Sequence, residues 1–180
     1  MSSSVPTIPA LPLSPEGFAP YGHVIQSYPN PHHVPKGVKV TSANAGTATK
    51  FNHLSPIESF IPPGYANAEQ KPNFAVYRCE PAGGLGGPER LKFEVKCLER
   101  HEFSTQSWIP LASSEGRYLI VVALPGPDGT PDLKTLRAFL ASTAQAYTYN
   151  ANVSPTAFLL LPLIRNSDLC ILSCRFGITR

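Results

Sequence analysis

The sequence predicts a mainly β protein, a small barrel or sandwich with short peripheral helices. Three observations point there. Proline supplies 20 of the 180 residues, roughly twice ordinary usage, and each proline removes a backbone donor that a helix interior needs. Apolar residues come in short runs between turn-forming clusters, at strand length rather than helix length. Helix start signals stand out at only two places, near either end of the chain. With 42% of its residues hydrophobic, a chain of this length can bury the core of one domain.

The elements follow in order. Residues 1–12 read as a flexible lead-in punctuated by Pro6, Pro9 and Pro12. A short helix opens at Ser14-Pro15-Glu16, where Ser14 can cap, Pro15 presets the first turn and Glu16 suits the positive end; Gly22 offers the exit. His23–Gln26 reads as a strand and Ser27–Lys36 as a loop rich in proline and histidine. Gly37–Ser42, Ala48–His53, Asn73–Cys79 and Leu91–His101 are further strands. The glycines of Pro81–Pro88 lack the lysine-serine pair and following helix of a phosphate loop, so that stretch reads as a spacer. Gln106–Leu111 and Tyr118–Leu124 are strands, and Pro125–Gly129 is a turn. Thr130-Pro131-Asp132 then gives a cap, a first-turn proline and an acid. Leu133, Leu136, Phe139 and Leu140 follow at helical spacing, the best helix pattern in the sequence. Ala146–Ala151 returns to strand.

Charge and composition exclude several classes of partner. The formal net charge is +3, from 15 basic and 12 acidic residues, and no basic run marks a nucleic-acid face. The apolar run Ala157–Ile164 is far short of a membrane span and contains Pro162. The opening residues lack a basic-then-apolar leader, so a soluble, cytoplasmic protein is expected. Cys79 and Cys97 sit in apolar, strand-like stretches and are expected as buried free thiols. Cys170-x-x-x-Cys174 has no companion pair to complete a zinc set.

Leu91–His101 carries the most chemistry. Alternation along a strand puts Leu91, Phe93, Val95 and Cys97 on one face and Lys92, Glu94 and Lys96 on the other. Carried forward, the phase adds Glu99 and His101 to the apolar face, where ionisable groups are costly unless paired or used. Gln106 can enter the same cavity from the next strand. The opposing reading has Glu99 and His101 straddling a strand end in solvent, paired with Arg100 or Glu102. The spacing echoes the first metal-binding motif of cupins, although glutamate and glutamine are unusual replacements for its histidines. Glu99, His101 and Gln106 are therefore the candidate catalytic set, and the candidate ligands if a divalent metal is bound. No cofactor is otherwise demanded. His23, His32, His33 and His53 read as loop or surface residues.

Leu98-Glu99-Arg100-His101-Glu102-Phe103-Ser104-Thr105-Gln106-Ser107-Trp108-Ile109-Pro110-Leu111 closely resembles the central motif of ureidoglycolate lyases, also called ureidoglycolate hydrolases. Phe18–Ile25, Asn44–Phe51, Tyr77–Pro81, Tyr118–Ala123 and Pro131–Leu140 resemble further family segments in family order. The resemblance covers residues 13–153 and implies a cupin-like β-barrel, usually a homodimer, acting on (S)-ureidoglycolate. Its implied reaction is carbon–nitrogen cleavage to glyoxylate and urea, within allantoin and purine nitrogen catabolism. Glu99 and His101 would share the proton transfers and Gln106 would orient the substrate. Lys50, Arg78 and Ser104 are candidates for binding it. Alternatives are an amidohydrolase that releases ammonia and a non-catalytic cupin-like module that binds a small carboxylate.

Residues 154–180 depart from the family. Its tryptophan-histidine motif, expected after Val153, is replaced by Ser154-Pro155-Thr156-Ala157. Two accounts of this atypical tail are open. Val153-Ser154 can be encoded by GTGAGT, a splice-donor-like sequence, which would make the tail translated intron. Otherwise it is a true replacement, in which Ala157–Ile164 restores a core strand.

Overall fold

The computed structural model describes residues 7–60, 73–79, 95, 97–111, 116–155, 159–160 and 169–175. Along the chain come β1 (Ala10–Pro12), α1 (Pro15–Phe18), β2 (Gly22–Ile25), β3 (Lys39–Ala43), β4 (Ala48–Asn52) and β5 (Asn73–Cys79). After them follow β6 (Gln106–Leu111), β7 (Arg117–Ala123), β8 (Arg137–Ser142) and β9 (Ala146–Tyr149). The last are β10 (Ser154–Pro155), β11 (Leu159–Leu160) and β12 (Leu169–Arg175).

These strands form two five-stranded sheets and a separate hairpin. The first sheet runs β1-β8-β7-β10, with β11 also paired to β7; the second runs β2-β9-β6-β12-β5; β3 and β4 pair with each other. Side chains from both sheets and from α1 meet in one cluster. Val24, Trp108, Tyr147 and Tyr149 of the second sheet and Phe18 of α1 pack there with Tyr118, Ile120, Val122 and Phe139 of the first. The fold is thus mainly β, with two facing sheets in a cupin-like arrangement. Among the described residues the ladders do not close into a ring.

Local sequence explains most of the elements. The Ser14 hydroxyl accepts from the Gly17 amide at 3.1 Å and caps α1, as its sequence signals. Gly22 opens β2 where a Cβ would fall 1.9 Å from the Thr148 carbonyl oxygen, so only glycine allows β2 this close to β9. On β7, Tyr118, Ile120 and Val122 face the main cluster, while Leu119 and Val121 face a second one with Ala138. Burial on both faces accounts for the unbroken apolar run there.

Several expectations need correction. The cap is Asp132 instead of Thr130: its side chain accepts from the Lys134 amide at 3.0 Å, and only a single 3₁₀ turn follows, Leu133–Thr135. Leu136 then turns extended (φ −59, ψ 126) and the chain becomes β8 instead of a helix. Pairing of β8 with β7 on one side and β1 on the other outweighs the periodic leucines. The lead-in is partly structured too, since Ala10–Pro12 pairs in parallel with β8. Of Ala157–Ile164, only Leu159–Leu160 forms a strand among the described residues. The tail's larger contribution is β12, which lies between β5 and β6. The spacer Pro81–Pro88 lies outside the described residues, as do residues 91–94 of the expected strand Leu91–His101. Its described part, Val95 and residues 97–101, is not a strand.

Candidate active site

Gln106 opens β6, directly opposite Tyr149 on β9, and Trp108 stands opposite Tyr147. Residues opposite one another in a ladder share a face. Gln106, Trp108, Tyr147 and Tyr149 therefore line one side of the second sheet, the side that meets the core. The Tyr149 hydroxyl donates to that of Tyr147 at 3.3 Å, and their rings meet edge to face at 4.9 Å. Tyr77 packs on Trp108 with centroids 5.1 Å apart, and half-buried Cys79 touches the same cluster. Burial pushes the Tyr147 and Tyr149 hydroxyls well above their ordinary pKa, so both remain protonated donors.

The segment before β6 is strapped on two sides. The His101 carbonyl accepts from the Asn152 amide at 2.7 Å, and the Glu99 amide donates to the Pro155 carbonyl at 2.7 Å. On the other side, the Thr105 amide donates to the Glu58 carbonyl at 3.0 Å and the Phe60 amide to the Phe103 carbonyl at 2.7 Å. The Thr105 hydroxyl in turn accepts from the Glu58 amide at 3.0 Å. Between these straps His101 is 3% exposed, Ser104 1% and Gln106 4%. The Ser104 hydroxyl has no hydrogen-bond partner among the described residues, so it is open to a ligand contact.

Three of the six expected site residues are buried: His101, Ser104 and Gln106. The other three are exposed. Glu99 is exposed, because its segment is not a strand and alternation fails there. Val95 and Leu98, three positions apart, both pack against the second cluster, a spacing that strict alternation forbids. Cys97, expected to be buried, is exposed for the same reason. Arg78 is exposed and in register with Cys170 and, across it, Leu111. Leu111 lies an odd number of residues from Gln106, which places Arg78 on the opposite face of the sheet. Lys50 is exposed on the separate β3–β4 hairpin.

The donor set for a divalent metal does not fit. Glu99 is at the surface, Gln106 is a weak neutral ligand, and among the described residues no group of three His, Cys, Asp or Glu side chains is placed to hold an ion. What the arrangement offers is a buried imidazole, a carboxamide, a hydroxyl and a face of protonated phenols. Sequence reasoning passed over Tyr147, Tyr149 and Trp108. The alternation of Tyr147-Thr148-Tyr149 signals two phenols on one strand face.

A family model described as ureidoglycolate lyase matches residues 5–173. That span runs past Val153 and into β12. A protein of Schizosaccharomyces pombe named ureidoglycolate lyase is 36% identical over 78% of this chain and 71% of its own length. One of the same name from Saccharomyces cerevisiae is 31% identical over 92% of this chain and 85% of its own length. Another, from Burkholderia mallei, is 32% identical over 82% and 71% respectively. The family-model match takes in the strapped segment and both sheets, and the chain belongs to the ureidoglycolate lyase family.

Proposed function

We propose that this enzyme cleaves (S)-ureidoglycolate to glyoxylate and urea. The observation that carries the reading is His101, an ionisable ring held at 3% exposure inside the motif that most resembles the family. The reacting carbon of ureidoglycolate bears a hydroxyl, a carboxylate and a urea nitrogen. Cleavage moves one proton: a base removes it from the hydroxyl, the C–O bond becomes a carbonyl as the C–N bond breaks, and the leaving nitrogen takes it up. His101 serves as base and then, as imidazolium, as acid, so the proton count balances without Glu99. Buried neutral donors, the Ser104 hydroxyl and the Gln106 carboxamide, hold the carboxylate and the nascent carbonyl. Lys50 and Arg78 take no part.

A lyase outcome fits these groups better than amide hydrolysis. They suit proton transfer, and attack on the urea carbonyl calls for a strong nucleophile. Incubation of purified protein with (S)-ureidoglycolate is the test, and equimolar glyoxylate and urea are expected. Release of ammonia would shift the reading to an amidohydrolase. No turnover, with glyoxylate still raising the thermal midpoint, would leave a binding module.

The same reading makes the enzyme a cytoplasmic homodimer serving purine nitrogen recovery. Phe74 (70% exposed), Val76 (60%) and Leu111 (48%) support the dimer. By register they share the outer face of the β5-β12-β6 part of the sheet with Arg78, and these exposed apolar side chains suit a second copy. No helix among the described residues is long and apolar enough to cross a membrane.

A further inference from the structure

Asn152 touches the strapped segment twice. Its amide donates to the His101 carbonyl at 2.7 Å, and its Oδ1 accepts from Arg100 Nη1 at 3.1 Å. Both contacts need the backbone that Asn152 adopts, φ +70, a left-handed conformation that asparagine tolerates better than most residues. The turn holding Asn152 is fixed in its own right. The Asn150 amide donates to the Tyr21 carbonyl at 2.9 Å, tying the turn to the exit of α1.

Arg100 is held from further directions. It is ion-paired with Glu102. Its guanidinium also lies over Gly129, where an added Cβ would fall 3.1 Å from Nη1. The Arg100 and Glu102 side chains are 28% and 21% exposed, while His101 between them is buried. This pair therefore flanks the imidazole along the chain and is joined to it through the main chain and Asn152.

We propose that Asn152 is a positioning residue for His101, with Arg100 as its counterpart. The amide of Asn152 fixes the His101 main chain, and the Oδ1–Arg100 bond fixes the register of the two segments, so that the ring is delivered to one place. A misplacement of about 1 Å at a reacting group lowers turnover by up to roughly 10²-fold. The inference rests on the reading that His101 moves the proton.

The test is a double-mutant cycle. Asn152→Gly keeps the positive φ and the backbone amide and removes the side chain that carries Oδ1; Arg100→Met deletes the other half of the bond. Each single variant is expected to lower kcat about tenfold with KM within about twofold, and the double variant to be no worse than Arg100→Met, because all three lose the Asn152–Arg100 bond and Arg100→Met already gives up the Glu102 pair. The acid limb of the kcat–pH profile should move in the same variants. Nitrogen-edited NMR of the His101 ring gives a readout independent of turnover: one ring environment in the parent protein and broadened or doubled signals in the variants. Unchanged kcat and unchanged ring signals, or losses that simply add, would overturn the proposal. His101→Asn separates the two ideas. If it retains turnover, the reading of His101 fails. If it is inactive while Asn152→Gly and Arg100→Met are normal in both kcat and ring signals, only the positioning role fails.

Discussion

The proposed proton transfer turns on His101, an imidazole kept at 3% exposure. Replacing it with asparagine keeps much of the volume and removes the titrating group. Turnover of His101→Asn should fall by about a hundredfold or more, the scale of a positioned acid or base, with a far-UV spectrum like that of the parent. Steady-state kinetics on ureidoglycolate check this. At this scale the sequence was readable where residue type and burial go together. His101, Ser104 and Gln106 all fall in the motif and all are buried. Glu99 was misread because alternation applies only to a paired strand, and pairing is a tertiary fact. Lys50 and Arg78 carry a charge suited to a carboxylate, but charge does not say which face of a sheet a side chain takes. Asn152 was beyond reach from sequence, since its role comes from a left-handed turn and a partner far away in the chain.

Among the elements, β2 and β9 show how one atom sets a strand pairing. Gly22→Ala would put a methyl group 1.9 Å from the Thr148 carbonyl oxygen, so the two strands must move apart. Overpacking of this kind costs about 1–3 kcal/mol. The expected outcome is a lower urea midpoint with an unchanged m-value, measured by equilibrium unfolding. The short helix α1 was legible because its cap, proline and acid act locally. β8 was not. Its leucine spacing satisfies a helix, and Asp132, two residues past the expected cap, starts one 3₁₀ turn, yet two neighbouring strands claim its backbone groups. Local pattern could not reveal that competition.

Across the whole molecule, the two sheets are joined by an aromatic core with buried hydroxyls, and this predicts sensitivity to alkali. Tyr118, Tyr147 and Tyr149 all have their pKa raised by burial above the ordinary value of 10.0. Below that value both folded and unfolded chains hold these protons, and the full stability is present. Above it the unfolded chain releases protons that the folded chain keeps, so stability falls with pH. For three such groups the slope is roughly 4 kcal/mol per pH unit. Urea midpoints taken from about pH 8 to about pH 11 should drop steeply in the upper part of that range, with tyrosinate absorbance from these residues appearing only on unfolding. The outer face with Phe74, Val76 and Leu111 gives a second expectation: light scattering should return twice the chain mass, and Val76→Lys should return one. The mainly β class was legible from proline content and short apolar runs. How the strands divide between two sheets was not, because it depends on long-range pairings such as Gln106 with Tyr149 and Arg175.

The position of β12 bears on how the polypeptide is made. It follows every other strand of its sheet in the sequence yet sits between two of them, β5 and β6. While the ribosome is still adding residues 169–175, those neighbours have already emerged and have no partner for their facing edges. Chaperone shielding during that interval matters more for this protein than for one whose late strand docks at a rim, and slowed elongation before residues 169–175 emerge should raise its aggregation.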